Sequence, residues 1–121
     1  MKKVLLVDDE PLIRQFLKLH FETGGYQVSE AENGRDALDR AASEMPDLIV
    51  MDMNMPVMTG WDAAKALKKP GAATAGIPII ALTAQKTTED QTAAHEAGCD
   101  TFVDKPIDAE RLFKAVERVL S

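Results

Sequence analysis

The chain alternates between short apolar runs and longer stretches in which apolar residues return every three or four positions. Five runs stand out: Val4–Val7, Tyr26–Val28 with a polar tail, Leu48–Met51, Ile77–Leu82 and Thr101–Val103. Each is too short for a helix and predicts a strand. After the first run, Leu12, Ile13, Phe16, Leu17 and Phe21 recur at helical spacing. Glu10-Pro11 opens that helix, because proline suits the first turn, and Gly24-Gly25 stops it. Ala37, Leu38, Ala41, Ala42 and Met45 predict a second helix closed by Pro46. Trp61, Ala64 and Leu67 predict a third, followed by the flexible-looking KKPGAATAG. A fourth falls around Thr87 to Ala97, and the last carries Leu112, Val116, Val119 and Leu120 after an Asp108 cap.

Strand followed by helix, five times over and without a linker, predicts one α/β domain over residues 1–121. Runs such as LLV and LIVM are apolar on both faces, as strands between two helix layers must be. Right-handed crossovers then give a doubly wound parallel sheet. Five strands are too few for a closed eight-stranded barrel, so the sheet is open. The fourth helix has only Ala93, Ala94 and Ala97 to bury. It gains little packing energy, since a large apolar side chain is worth about 1.5–3 kcal/mol, and is expected to be the least firmly held.

Open sheets of this kind bind ligands beyond the carboxyl ends of their strands. The first run ends in Asp8, Asp9 and Glu10, the third in Asp52, the fourth in Thr83 and Ala84, and the fifth in Lys105-Pro106. The second ends in SEAEN, ordinary loop material. Each residue alone has a plain structural use. Asp8 and Asp9 suit a helix cap, Asp52 a turn, Thr83 a strand end, and Lys105 a solvated surface. Together they conflict electrostatically, because two unit charges about 4 Å apart repel by about 4 kcal/mol at an effective dielectric near 20. Lys105 supplies one positive charge for three aspartates, so a cation, a proton or several donors must supply the rest. An all-oxygen acidic site favours a hard divalent ion, Mg2+ above others.

Other metal chemistry finds no support. His20 and His95 fall on helices away from the rim, and Cys99 beside Gly98 reads as a small packed residue. The methionines at 51, 53, 55 and 58 read as packing. A divalent ion, a lysine and a hydroxyl form an environment for phosphoryl oxygens. There is no Walker A loop and no GxGxxG, so a tightly held nucleotide is not expected. A carboxylate can itself be the nucleophile and become an aspartyl phosphate.

Composition narrows the setting. Apolar residues are 45% and charged residues 28%, and 14 basic against 20 acidic side chains leave a net charge of −6. That balance argues against a bare nucleic-acid surface. The single cysteine excludes an intramolecular disulfide and suits a reducing compartment. The opening MKKVLLVDDE has too short an apolar run for a signal peptide, and no segment reaches bilayer-spanning length. A cytoplasmic protein without membrane contact is expected.

The set VDDE at 7–10, DMNMPVMTG at 52–60, LTA at 82–84 and FVDKP at 102–106 resembles the receiver domain of two-component response regulators, of the chemotaxis-regulator type. The resemblance covers essentially the whole chain. It implies a flavodoxin-like (βα)5 fold with strand order 2-1-3-4-5. It further implies that Asp52 is the phosphoacceptor and that Asp8, Asp9, Asp52 and the Asn54 backbone carbonyl hold Mg2+. Thr83 and Lys105 would contact the phosphoryl group, Thr83 and Phe102 would form the switch, and Lys105-Pro106 would be a cis peptide. Asn54 and Gln85 would tune the lifetime of the acyl phosphate, and both are neutral amides here. The implied partners are a sensor histidine kinase or histidine phosphotransfer protein and a downstream protein target. The target would be met at the face of the fourth helix, fifth strand and fifth helix, by a monomer or a weak phosphorylation-dependent dimer. Such a chain is a switch that acts on its own Asp52, not a turnover enzyme.

Three rivals are weaker. A phosphohydrolase with an aspartyl intermediate usually needs an acid two residues after the nucleophile, where this chain has Asn54. An FMN binder would need a Ser/Thr-rich loop in place of DDEP. A degenerate receiver would lack one of the key residues, and none is missing. The end at Ser121 fits a single-domain regulator and equally a receiver belonging to a longer protein.

Overall fold

The computed structural model describes residues 2–55, 57–83, 92–93 and 95–120. The strands are β1 (Lys3–Val7), β2 (Gln27–Ala31), β3 (Leu48–Asp52), β4 (Ile79–Thr83) and β5 (Thr101–Asp104). The helices are α1 (Pro11–Thr23), α2 (Gly34–Glu44), α3 (Gly60–Leu67) and, at the C-terminal end, α4 (Ala109–Leu120). All neighbouring strands pair in parallel, in the order β2-β1-β3-β4-β5. This is the doubly wound, flavodoxin-like sheet.

Side chains alternate across a strand with a period of two, and here the two parities feed two cores. Leu5, Val7, Ile49, Met51, Ile79 and Ala81 pack with Ala37 and Ala41 of α2 and Ala63, Ala64 and Leu67 of α3. Val4, Leu6, Leu48, Val50, Ile80 and Leu82 pack with Leu17 and Phe21 of α1 and Leu112, Ala115 and Val116 of α4. That is why LLV and LIVM are apolar without interruption.

Four sequence expectations need correction. In α1, Leu12 and Phe16 do not join the core: they are 78% and 39% exposed, and Leu19 is 65% exposed. At about 100° per residue, positions 12, 16 and 19 share one narrow arc, while Ile13, Leu17 and Phe21 share the arc that meets the sheet. The helix therefore carries two apolar seams. In β2, the polar residues Ser29 and Glu30 and the buried Ala31 belong to the strand; an edge position tolerates the two polar ones because one side stays open to solvent. α2 ends at Glu44, and Met45, with φ 46°, is its half-exposed left-handed cap rather than a core residue. Ala42 is exposed as well.

The stretch KKPGAATAG is ordered by successive turns. Ala72, Ala75 and Ile77 donate to the carbonyls of Lys69, Ala72 and Thr74 at 2.9, 3.1 and 3.1 Å. The buried Thr74 hydroxyl donates to the Leu67 carbonyl at 2.8 Å, satisfying one orphan acceptor at the end of α3. Of the helix expected over Thr87–Ala97, residues 92, 93, 95 and 96 are helical and the Ala97 N–H donates to Ala93 at 3.0 Å. Residues 84–91 and Ala94 lie outside the described residues, and so does the expectation about how firmly that helix is held. No described helix is long and apolar enough to cross a membrane.

Candidate functional site

Because the strands are parallel, their carboxyl ends meet at one rim. Asp8 follows β1 directly, Asp52 closes β3 opposite Leu82, Thr83 closes β4 opposite Asp104, and Lys105 follows β5. Asp8 is fully buried and Asp52 is 2% exposed. The Asp8 Oδ1 accepts the Glu10 N–H at 2.9 Å, forming a local turn, and its backbone carbonyl accepts Arg14 Nη1 at 2.6 Å. Arg14 is held in turn by Glu30 of β2, Nε to Oε1 at 3.3 Å. Asp52 Oδ1 accepts the Asn54 N–H at 3.1 Å.

A single ammonium serves both buried carboxylates. Lys105 Nζ lies 3.3 Å from Asp52 Oδ1 and 3.8 Å from Asp8 Oδ2. The latter oxygen is buried and has no hydrogen-bond partner among the described residues. Burial pushes the Asp8 carboxyl up to about 6; the Glu10 N–H works against this, and the nearby Asp52 charge adds to it. Asp52 is raised too, again by burial, against the Asn54 N–H and Lys105. Both groups resist carrying their charge without a further cation.

Oxygens of Asp8, Asp9 and Glu10 lie within 4.8 Å of one another. Glu10 therefore joins a cluster that the sequence attributed to the aspartates. It stands at the N-cap of α1, yet its side chain makes no capping bond. The residues fit Mg2+: hard oxygen donors are gathered on one rim, and a buried carboxylate oxygen awaits a partner.

The loop after β3 is fixed by a close approach. The Gly60 N–H at the start of α3 donates to the Met53 carbonyl at 2.9 Å, and a Cβ at residue 60 would lie 2.4 Å from the Asp52 carbonyl oxygen. Only glycine lets α3 begin this near Asp52. The same loop holds Val57 at φ 71°, strained for a β-branched residue, with its side chain 81% exposed. Neither role could be assigned from spacing, although Gly60 belongs to the DMNMPVMTG stretch.

Thr83 is buried, and its carbonyl accepts the Lys105 N–H at 2.7 Å. The Lys105–Pro106 peptide is cis. Asn54 is exposed. Phe102 stands within β5, half-buried against the core shared with α2 and α3. Gln85, Ala84 and Pro56 lie outside the described residues. Away from the rim, His20 stacks edge-on with Phe16 at 4.6 Å and His95 is exposed. Cys99 is buried, which pushes its thiol up to about 11, and Met51, Met53 and Met55 are core residues.

A doubly wound sheet with paired carboxylates and a shared lysine on its rim matches one known family over nearly the full chain. Residues 4–117 match the response regulator receiver domain, and the chain belongs to that family. Receiver domains are the phosphorylation-dependent signalling switches of two-component systems. Protein PilH of Pseudomonas aeruginosa is 36% identical over 121 residues, covering 100% of this chain and 99% of that protein. The chain spans half the length of several other curated relatives, which are named response regulators. Among solved structures, chemotaxis protein CheY4 of Vibrio cholerae superposes with a TM-score of 0.92 at 38% identity, covering 99% of both chains. The receiver domain of the sensor histidine kinase PA1611 from Pseudomonas aeruginosa, described with a magnesium ion coordinated in its active site cleft, gives 0.89 at 28% identity, covering 98% of this chain and 97% of that one.

Proposed function

We propose that residues 1–121 act as a receiver whose Asp52 accepts a phosphoryl group from a histidine of a sensor kinase or phosphotransfer protein. The observation that carries the reading is the shared ammonium: Lys105 Nζ, 3.3 Å from Asp52 and 3.8 Å from Asp8, under-neutralises two buried carboxylates. An Asp52 carboxylate oxygen attacks phosphorus, the O–P bond forms, the N–P bond to the donor imidazole breaks, and that imidazole takes a proton from solvent.

Asp8, Asp9 and Asp52, with the Asn54 backbone carbonyl, would hold Mg2+, which when bound supplies positive charge beside the phosphoryl oxygens. Lys105 pairs with one phosphoryl oxygen, and the Thr83 hydroxyl donates to another. Moving Thr83 toward Asp52 frees space into which Phe102 turns. The conformational equilibrium shifts by as much as these contacts favour the phosphorylated arrangement. The output is read at the face made by the expected fourth helix (Thr87 to Ala97), β5 and α4, by a protein partner in the cytoplasm. Asn54 and Gln85 offer no base for the attacking water, so loss of the group is left to water and the residues around it.

The test is incubation with acetyl phosphate and Mg2+ followed by intact-mass measurement. A single phosphoryl adduct is expected on the parent and none on Asp52→Asn. Equal labelling of both proteins, or labelling of neither, would overturn the assignment.

A further inference from the structure

The corner between β2 and α2 reads in the sequence as ordinary loop material, yet it touches both halves of the acidic rim. On one side, the carbonyl of Ala31, the last residue of β2, accepts the Asp8 N–H at 3.2 Å. On the other, α2 begins at Gly34, which lies against Met58 in the loop that follows Asp52. A Cβ at residue 34 would stand 2.8 Å from the Met58 carbonyl oxygen and 3.0 Å from the Met58 Cβ and Cγ. Ordinary contact begins at about 3.4 Å, so Met58 would have to give by about 0.6 Å. The nearest of these atoms is backbone, so no change of rotamer relieves the clash.

Both sides of this contact are tied down. Asn33 caps α2, its Oδ1 accepting the Asp36 N–H at 2.9 Å, and Asp36 Oδ2 accepts the Glu32 N–H at 3.4 Å. Ala31 and Gly34 are themselves buried. Across from them, the Gly60 N–H closes the loop on the Met53 carbonyl, and Asn54, whose N–H binds Asp52 Oδ1, lies inside that closed loop. Direct pairing of β1 with β3 ends at Val7 and Met51, one residue short of Asp8 and Asp52. Beyond that last pair, the corner bridges the two sides.

We infer that the corner over residues 31–34 is a spacer that fixes Asp8 relative to the loop carrying Asn54, with Gly34 as its positioning residue. Gly34 acts through Met58 and touches no reacting atom. Its consequence for the cation rests on the proposed magnesium site, whose donors lie on both sides of the junction. Mg2+ demands near-ideal octahedral geometry, so a displaced loop weakens it more than it would a larger ion.

The test compares the full chain with Gly34→Ala, Asn33→Ala and Ala41→Gly. Ala41 is buried in the later part of α2, so its replacement loosens the helix away from the corner. In EDTA, Gly34→Ala should move the NMR amide resonances of Asp8, Asn54 and Met58, whereas Ala41→Gly should leave Asp8 and Asn54 in place. Calorimetry at a temperature where the proteins are folded should give Mg2+ affinity about tenfold weaker for Gly34→Ala, about threefold weaker for Asn33→Ala and unchanged for Ala41→Gly. Asn33→Ala loosens the corner without adding atoms, and decides the matter by the same two readouts should Gly34→Ala fail to fold. Shifts confined to α2, unchanged Mg2+ affinity in the corner variants, or an equal loss in Ala41→Gly would overturn the proposal. A parent that binds no Mg2+, with the Asp8 and Asn54 resonances still displaced by Gly34→Ala, would remove the magnesium reading and leave the spacer standing.

Discussion

Replacing Asp8 by asparagine removes a charge that the folded protein holds at a cost. The side chain is fully buried, and its carboxyl is raised from 3.8 to about 6. The folded state therefore binds the Asp8 proton more tightly than the unfolded state does. Between those two values folding takes up a proton, and the stability contributed by this group falls as pH rises. A shift of roughly two units at 1.36 kcal/mol each amounts to about 3 kcal/mol of destabilisation at pH 7.5, and to about 1 kcal/mol at pH 4.5.

Asparagine keeps the oxygen that accepts the Glu10 N–H and carries no charge. Asp8→Asn without metal should be more stable than the parent by about 3 kcal/mol at pH 7.5, or roughly 10 °C in melting temperature. The advantage should shrink to about 1 kcal/mol at pH 4.5. Thermal and urea unfolding in EDTA at the two pH values read this directly. Adding Mg2+ should narrow the gap, since the parent, with one more carboxylate for the ion, gains more stability by mass action. A variant no more stable than the parent at pH 7.5, or an advantage that ignores pH, would refute the account of Asp8 as a burdened carboxylate.

Three further outcomes follow from named contacts. Arg14→Ala removes the guanidinium on the Asp8 carbonyl and should weaken Mg2+ binding about tenfold by calorimetry, with Arg14→Lys only partly restoring it. Gly60→Ala places a methyl group 2.4 Å from the Asp52 carbonyl oxygen; it should cost about 2–3 kcal/mol in urea unfolding and slow labelling by acetyl phosphate. Val57→Gly relieves a left-handed β-branched residue that packs on little, and should stabilise the fold by about 0.5–1 kcal/mol in the same assay, net of the entropy glycine loses on folding.

The fold was legible where burial is two-sided. In LIVM and LLV both parities of the strand are apolar, so strand, parallel sheet and helix layers follow from one pattern. The acidic residues were legible because each stands at the end of such a run. Period alone could not tell which of the two seams of α1 meets the sheet, since Leu12 and Phe16 fit helical spacing as well as Leu17 and Phe21 do. The edge strand β2 hid its polar half because half-exposed positions carry no apolar signal. Thr74, Gly60 and Val57 act through backbone geometry: a carbonyl to satisfy, a steric limit and a positive φ. None of these leaves a periodic trace.

The division of each strand between two cores has a consequence for how such a molecule can change over generations. Asp52 continues the row of Leu48 and Val50, which packs against α1 and α4, whereas Thr83 continues the row of Ile79 and Ala81, which packs against α2 and α3. Phe102 leans on that second core as well. The sheet thus acts as a partition, with the support of Asp52 on one side and the support of Thr83 and Phe102 on the other. If Asp52 is the acceptor and Thr83 with Phe102 the switch, as proposed, repacking beneath Ala81 would retune the switch and leave the acceptor as it is. Repacking beneath Val50 would do the converse, so the two properties have separate mutational targets within a single small domain.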